Sequence, residues 1–281
     1  MAAASLQTEI EKGEGISPGG CPAKGSKDQP GPTQRLRQYL TAEVTTNHAD
    51  ILLLSCCLIS GLVDSTIYNA YGTFVSMQTG NTIFLGLGGA TPHDTSKPFG
   101  WAKSLTSITC FCMGCFFFSF TSRLLGPLRR GALVASFLLQ AIMILIAAAI
   151  VQGGVADGSL NTITNDIDWR SELPIALLSF QSAGQIVGSR VLNLAEIPTV
   201  VLTSMLHDVA TDPKLLASPR TNVKRNRRVL AFLGILVGAV AGGFISEATG
   251  RIQIPLWIAG GFKLVVTIAW TVWPERRSSA V

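Results

Sequence analysis

The stretch Phe74-Val75-Ser76-Met77-Gln78-Thr79-Gly80-Asn81-Thr82, which runs on as apolar chain to Gly89, decides the fold. A helix needs about 20 residues to cross a hydrocarbon core of about 30 Å. This run is shorter, and Gln78, Thr79, Asn81 and Thr82 break its middle. A second short run, Ile197–Ala210, is broken by Thr199, Thr203, Ser204 and His207. Six runs of spanning or near-spanning length surround these two: Ile51–Ala70, Trp101–Leu125, Gly131–Val151, Leu173–Leu194, Val229–Ile245 and Ile254–Trp273. The order is long, short, long, long, given twice. That is an internal repeat at the level of architecture. Gly61-Leu62-Val63-Asp64-Ser65 can be laid on Gly184-Gln185-Ile186-Val187-Gly188, and Thr79-Gly80-Asn81 then falls on Thr203-Ser204-Met205 with one gap.

Composition agrees with a membrane protein. Only 14% of the 281 residues are charged, against about 25% in a soluble domain, and the mean hydropathy is +0.41. The net charge of +5 does not point to nucleic acid, because the basic residues sit in loops between apolar runs. Residues 1–48, rich in Gly, Pro, Ser, Thr and charge, lack the apolar core of a signal peptide and read as a disordered tail. Cys110, Cys112 and Cys115 do not share a helical face and have no His nearby. They read as small apolar fillers, so neither a metal nor a cofactor is expected.

Charge sets the expected topology. Arg123, Arg129 and Arg130 lie at and beyond the end of Trp101–Leu125, and Lys214, Arg220, Lys224, Arg225, Arg227 and Arg228 follow Ile197–Ala210. The positive-inside rule places both loops in the cytosol. Both can be inside only if the two short runs do not cross. Six spans remain, with both termini cytosolic. The expected division is a cytosolic tail (1–48), a first membrane repeat (49–152), an external acidic loop (153–172), a second repeat (173–274) and a cytosolic C-terminal tail (275–281). The external loop carries Asp157, Asp166, Asp168 and Glu172 against Arg170. Three crossings per half, an odd number, make the halves insert with opposite orientation. The expected fold is an all-α membrane protein of six transmembrane helices, two inverted three-helix repeats, each with one short re-entrant or broken helix. Interrupted helices at matching positions of inverted halves mark transporter sites. The two short runs should meet near the centre.

Gly61-Leu62-Val63-Asp64-Ser65 with Phe74-Val75-Ser76-Met77-Gln78-Thr79-Gly80-Asn81-Thr82 resembles the signature of the DUF1275 family, the YoaK-like membrane proteins, whose members read G-Y-V-D-A and then F-V-S-N-M-T-G-N-T. Ile197-Pro198-Thr199-Val200-Val201-Leu202-Thr203-Ser204 is similar to that family's V-P-T-T-x-x-T-G. The resemblance covers roughly residues 50–273. It implies a multi-pass membrane protein and gives weight to the short runs, but implies no substrate. The chain departs from the pattern at Ser204, where the family has Gly, and at Gly184–Gly188, where it has G-M-Q-N-A.

Candidate pathway residues follow from polarity at membrane depth. Asp64 is the one carboxylate in the first run. Acids there mark ion or proton paths, or sit at an interfacial helix end. Gln78, Thr79, Gly80, Asn81 and Thr82 offer amide, hydroxyl and bare backbone to a solute, or glue the bundle by hydrogen bonds. Thr199, Thr203 and Ser204 are their counterparts, with Pro198 suited to a first helical turn. Gln181 and Gln185, four apart, share a helix face. His207-Asp208 reads as a proton relay or as a solvated loop pair.

Gly234, Gly238 and Gly242 form two overlapping G-x-x-x-G steps for close helix packing, within the chain or with a second copy. Trp101, Trp257, Trp270 and Trp273 lie near run ends, as interfacial anchors do. Lys224–Arg228 is first a topology signal and also a candidate site for anionic lipid. No soluble-type catalytic motif occurs. The expected function is passage of a small polar solute or ion, as a secondary transporter or channel. The rivals are a non-transporting scaffold or sensor and a membrane-embedded enzyme using Asp64.

Overall fold

At bilayer depth a backbone must satisfy its N–H and C=O groups within its own segment, so apolar runs become helices. The computed structural model describes residues 31–90, 100–160, 169–197, 199, 200 and 202–276, and these contain helices but no strand. Five helices are long and apolar enough to cross a membrane: α2 (Ala49–Tyr71), α4 (Gly100–Leu125), α5 (Arg130–Gln152), α8 (Val223–Thr249) and α9 (Gln253–Val272). The others are α1 (Pro32–Thr41), α3 (Gln78–Ala90), α6 (Glu172–Val191) and α7 (Leu202–Ala210). Helix α6 has 20 residues, as many as α9. Its buried Ser179, Gln181, Ser182, Gln185 and Ser189 dilute its apolar character. With 13 and 9 residues, α3 and α7 rise only about 20 and 14 Å.

The long helices pack in a fixed set of pairs: α2 on α8, α4 on α6, α5 on α9, α5 on α6 and α2 on α9, with α3 on α4 and α7 on α8. The tightest contact is α2 on α8. A Cβ on Gly238 would stand 2.0 Å from the Leu58 carbonyl oxygen, and one on Gly61 2.0 Å from that of Ile235. Gly234 faces Leu54 and Cys57, and Gly242 faces Leu62 and Ser65. The glycine stripe of α8 is thus spent on α2 of the same chain. The numbers advance together, so the two helices run parallel. Gly114 of α4 does the same against the Phe180 carbonyl of α6.

The two ends of the bundle are knitted differently. At one end the segment after α1 inserts between two loops. Val44 N–H donates to Leu128 O, Thr45 N–H to Pro274 O, and Arg130 N–H to Ala42 O. Arg227, at the start of α8, pairs there with Asp50 and Glu196. At the other end the Tyr71 hydroxyl donates to Asp157 O, and Ile252 N–H donates to Gly158 O. Asp166 and Asp168 of the acidic loop lie outside the described residues.

Two features depart from the sequence reading. The tail contains α1, begun by Pro32 at its first turn. Tyr39 of α1 stacks beneath the Arg130 guanidinium, 4.0 Å from its ring centroid, and donates its hydroxyl to Thr271 O. A tertiary partner therefore supports a helix too short to persist alone. Trp270 is not an interfacial anchor. It is fully buried between Phe137 and Trp273, because the segment after α1 covers the end of α9.

Candidate functional site

The first buried polar group is organised by Asp64, one turn past the middle of α2. Its Oδ1 accepts from the Val75 and Ser76 N–H groups at 2.8 and 3.0 Å, and its Oδ2 accepts from the Ser76 hydroxyl. These donors belong to the non-helical lead into α3, which could not otherwise be satisfied at that depth. Asn81 does the same from inside α3. Its Oδ1 accepts from Phe74 N–H at 3.0 Å, and its Nδ2 donates to Phe74 O at 2.7 Å. Ser107 of α4 donates to Phe74 O and accepts from Ser179 of α6 at 2.9 Å. The Ser182 hydroxyl and Gln78 Nε2 both donate to Val75 O. The lead is held on three sides, by α2, α4 and α6. Gly80 leaves room for the Phe74 ring, which a Cβ would meet at 3.0 Å, and that ring stacks on Tyr68. Thr79 and Thr82 are exposed, and Thr82 bonds back to Gln78 O.

The second group lies at the middles of the helices. Ser60 of α2, Gln140 of α5, Gln181 and Gln185 of α6 and Lys263 of α9 are all buried. Gln185 Nε2 donates to Ser60 Oγ at 3.2 Å, and Gln140 Nε2 to Ser136 Oγ at 3.2 Å. The Oε1 atoms of Gln140, Gln181 and Gln185 are buried and have no protein partner. Lys263 Nζ lies 3.7 Å from the Cys56 thiol and 5.4 Å from the centroid of the Phe137 ring. These polar side chains separate two apolar clusters. One gathers Leu53, Leu133, Phe137 and Trp270, the other Ile59, Ile144, Ile175 and Leu256. The core is two apolar layers with a polar layer between them.

The second short run is placed differently from the first. Thr199 is buried and has a left-handed backbone (φ 58°), which a β-branched residue rarely adopts. Thr203 and Ser204 are exposed on α7. Helix α7 packs on α8 while α3 packs on α4, so the polar centre of α7 does not join the Asp64 group. Pro198 lies outside the described residues. His207 is 3.6 Å from Asp208, which also pairs with Arg228 at 3.1 Å. Of the Lys224–Arg228 cluster, Arg225 donates to the carbonyls of Lys214, Leu215 and Ala217, and Arg227 and Arg228 are ion-paired. Lys224 is exposed.

A family model described as "Protein of unknown function (DUF1275)" matches residues 52–269. The chain belongs to the DUF1275 family. No curated protein and no solved structure matches it. In this DUF1275 protein the matched span takes in nearly all of α2 through α9, with both polar groups inside it and α1 outside.

Sequence reasoning passed over Lys263, Gln140, Ser60, Ser107 and Ser179. The signal was present for two of them. Lys263 is the lone charge in Ile254–Trp273, and Gln140 the lone amide in Gly131–Val151. The serines gave none, since single hydroxyls are common in membrane helices.

Proposed function

We propose that the protein passes a small polar solute or ion through the centre of an inverted-repeat bundle. The observation that carries this is the layer of Gln140, Gln181 and Gln185, whose buried Oε1 atoms have no protein partner. An unpaired buried amide costs on the order of 1–3 kcal/mol. A bundle whose only task were to fold would replace three such groups with leucine. A passing solute, or the water that travels with it, supplies the missing donors.

In this reading α6 is the sixth span. Exchange of α2 with α6, α3 with α7, α4 with α8 and α5 with α9 carries α2–α8 onto α6–α4, α5–α6 onto α9–α2 and α3–α4 onto α7–α8, and leaves α5–α9 as it is. Gln140 and Lys263 each lie ten residues after the first residue of their helices, Arg130 of α5 and Gln253 of α9, so in this reading the two side chains take equivalent places in the halves. The end that carries Arg129, Arg130 and Arg227 is cytosolic, as are both termini. Asp64 is then a positioning residue that fixes the lead into α3 beside the path.

Counterflow of labelled small solutes into liposomes holding the purified protein tests the proposal. Accelerated exchange of at least one polar solute or ion, absent from empty liposomes, is expected. The scaffold reading draws on a different observation, that the Asp64–Asn81–Ser107 group satisfies itself internally. It predicts no exchange.

A further inference from the structure

An apolar cavity of roughly 170 Å³ lies between α4, α5 and α6. Phe117, Phe118, Leu133, Phe137, Val187 and Val191 line it. It runs from the ends of α4 and α5 that carry Leu125 and Ala132 to the middle of the bundle at Phe137 and Gly188. The Phe137 ring that lines it also carries the ammonium of Lys263 5.4 Å from its centroid. Lys263 is fully buried, and among the described residues no carboxylate pairs with it. Asp64 is engaged by the Val75 and Ser76 donors instead.

We infer that this cavity and Lys263 together form a binding site for a small organic monoanion with an apolar body. The inference deepens the passage reading and rests on it for access of solute to the polar layer. Holding an ammonium in an apolar interior without a counter-ion is costly, and an arriving carboxylate or sulfonate supplies the counter-ion that lets Lys263 carry its charge. The apolar cavity sets the rest of the ligand. Engineered apolar cavities of about 150 Å³ take up benzene, so the space holds a body of about six carbons. Lys263 does not itself line the cavity; Phe137 borders both, and the site requires that side chain to turn aside so that the anionic head reaches Lys263. The amide oxygens of the same layer accept from water that accompanies the head.

Benzenesulfonate is the probe, because it stays anionic and crosses bilayers poorly. Isothermal titration of the full-length protein in nanodiscs should show benzenesulfonate binding. Neutral benzenesulfonamide and cationic benzyltrimethylammonium should not bind. Lys263→Gln should weaken binding by about ten- to a hundredfold, the worth of one charged hydrogen bond, and Lys263→Arg should recover part of it. Leu133→Trp fills the cavity without touching Lys263 and should weaken binding comparably. Thermal melts of each variant establish folding. If Lys263→Gln does not fold, Leu133→Trp and the anion-against-amide comparison on the unaltered protein decide. Equal binding of benzenesulfonamide, or a folded Lys263→Gln with unchanged affinity, overturns the inference. So does a tightly held lipid chain in the cavity that excludes benzenesulfonate. Flux of glycerol with no binding of benzenesulfonate also overturns it while leaving the passage reading in place. Benzenesulfonate binding without flux of any solute supports the anion site and ends the passage reading.

Discussion

Gln181 and Gln185 stand one helical turn apart with their carbonyl oxygens buried and unpaired, so replacing them separates folding from use. Gln181→Leu should raise stability in detergent by about 1–3 kcal/mol, the penalty of a buried unsatisfied group, and Gln185→Leu should gain less, because it also removes the Gln185 Nε2–Ser60 Oγ bond. Each should also abolish solute exchange in liposomes. A thermal melt and a flux assay on the same preparation check this. Loss of stability in Gln181→Leu instead would mean that its carbonyl oxygen is bonded within the fold. Asp64 is the opposite case, because it satisfies three donors. Asp64→Ala strands the Val75 and Ser76 N–H groups, at about 1–3 kcal/mol each. Hydrogen exchange should rise across residues 73–81 and stay near its original level in α5 and α9. Uniform protection in the variant would contradict the role of Asp64 as the anchor of that lead.

At the scale of elements, the α2–α8 pair depends on bare backbone. Gly238→Ala puts a methyl against the Leu58 carbonyl, where backbone on both sides has no flexible end to yield. It should cost about 1–3 kcal/mol or more by overpacking. Gly243→Ala on the same helix meets nothing within 4 Å and should stabilise by up to about 1 kcal/mol through helix propensity. Thermal unfolding of the two variants side by side measures the contrast.

The long helices were legible because length and hydropathy alone identify them. The G-x-x-x-G stripe was legible as a packing face, but its partner was not, since α2 lies nearly 180 positions away. The lead into α3 was hidden inside an apolar run, because Phe74-Val75 reads equally as helix. Its real conformation depends on Asp64 and Ser107, from two other helices. The polar layer was half legible. Gln181 and Gln185 share a face by spacing, whereas Lys263 meets Cys56 only through the α2–α9 contact. Thr203 and Ser204 matched the first short run in pattern but are exposed; a short helix's facing is set by the neighbour it packs on, here α8.

For the whole molecule, the proposed arrangement has two halves of opposite orientation around one polar layer. Single cysteines at Ser159 and Ser218, in a background without native cysteines, should label from opposite sides of the membrane. Labelling from the same side would remove the inverted repeat. Whether solute reaches the middle is tested most directly by Gln185→Cys in that background. The position is buried at the centre of the bundle, so a small charged thiol reagent modifies it only if water enters the polar layer. The account predicts modification of Gln185→Cys in intact proteoliposomes, slowed by a solute that the protein passes. It also predicts no modification of a cysteine at Phe116, an exposed apolar position on α4. Complete protection of Gln185→Cys, in a protein that remains folded, would mean a sealed core and would contradict passage through the centre.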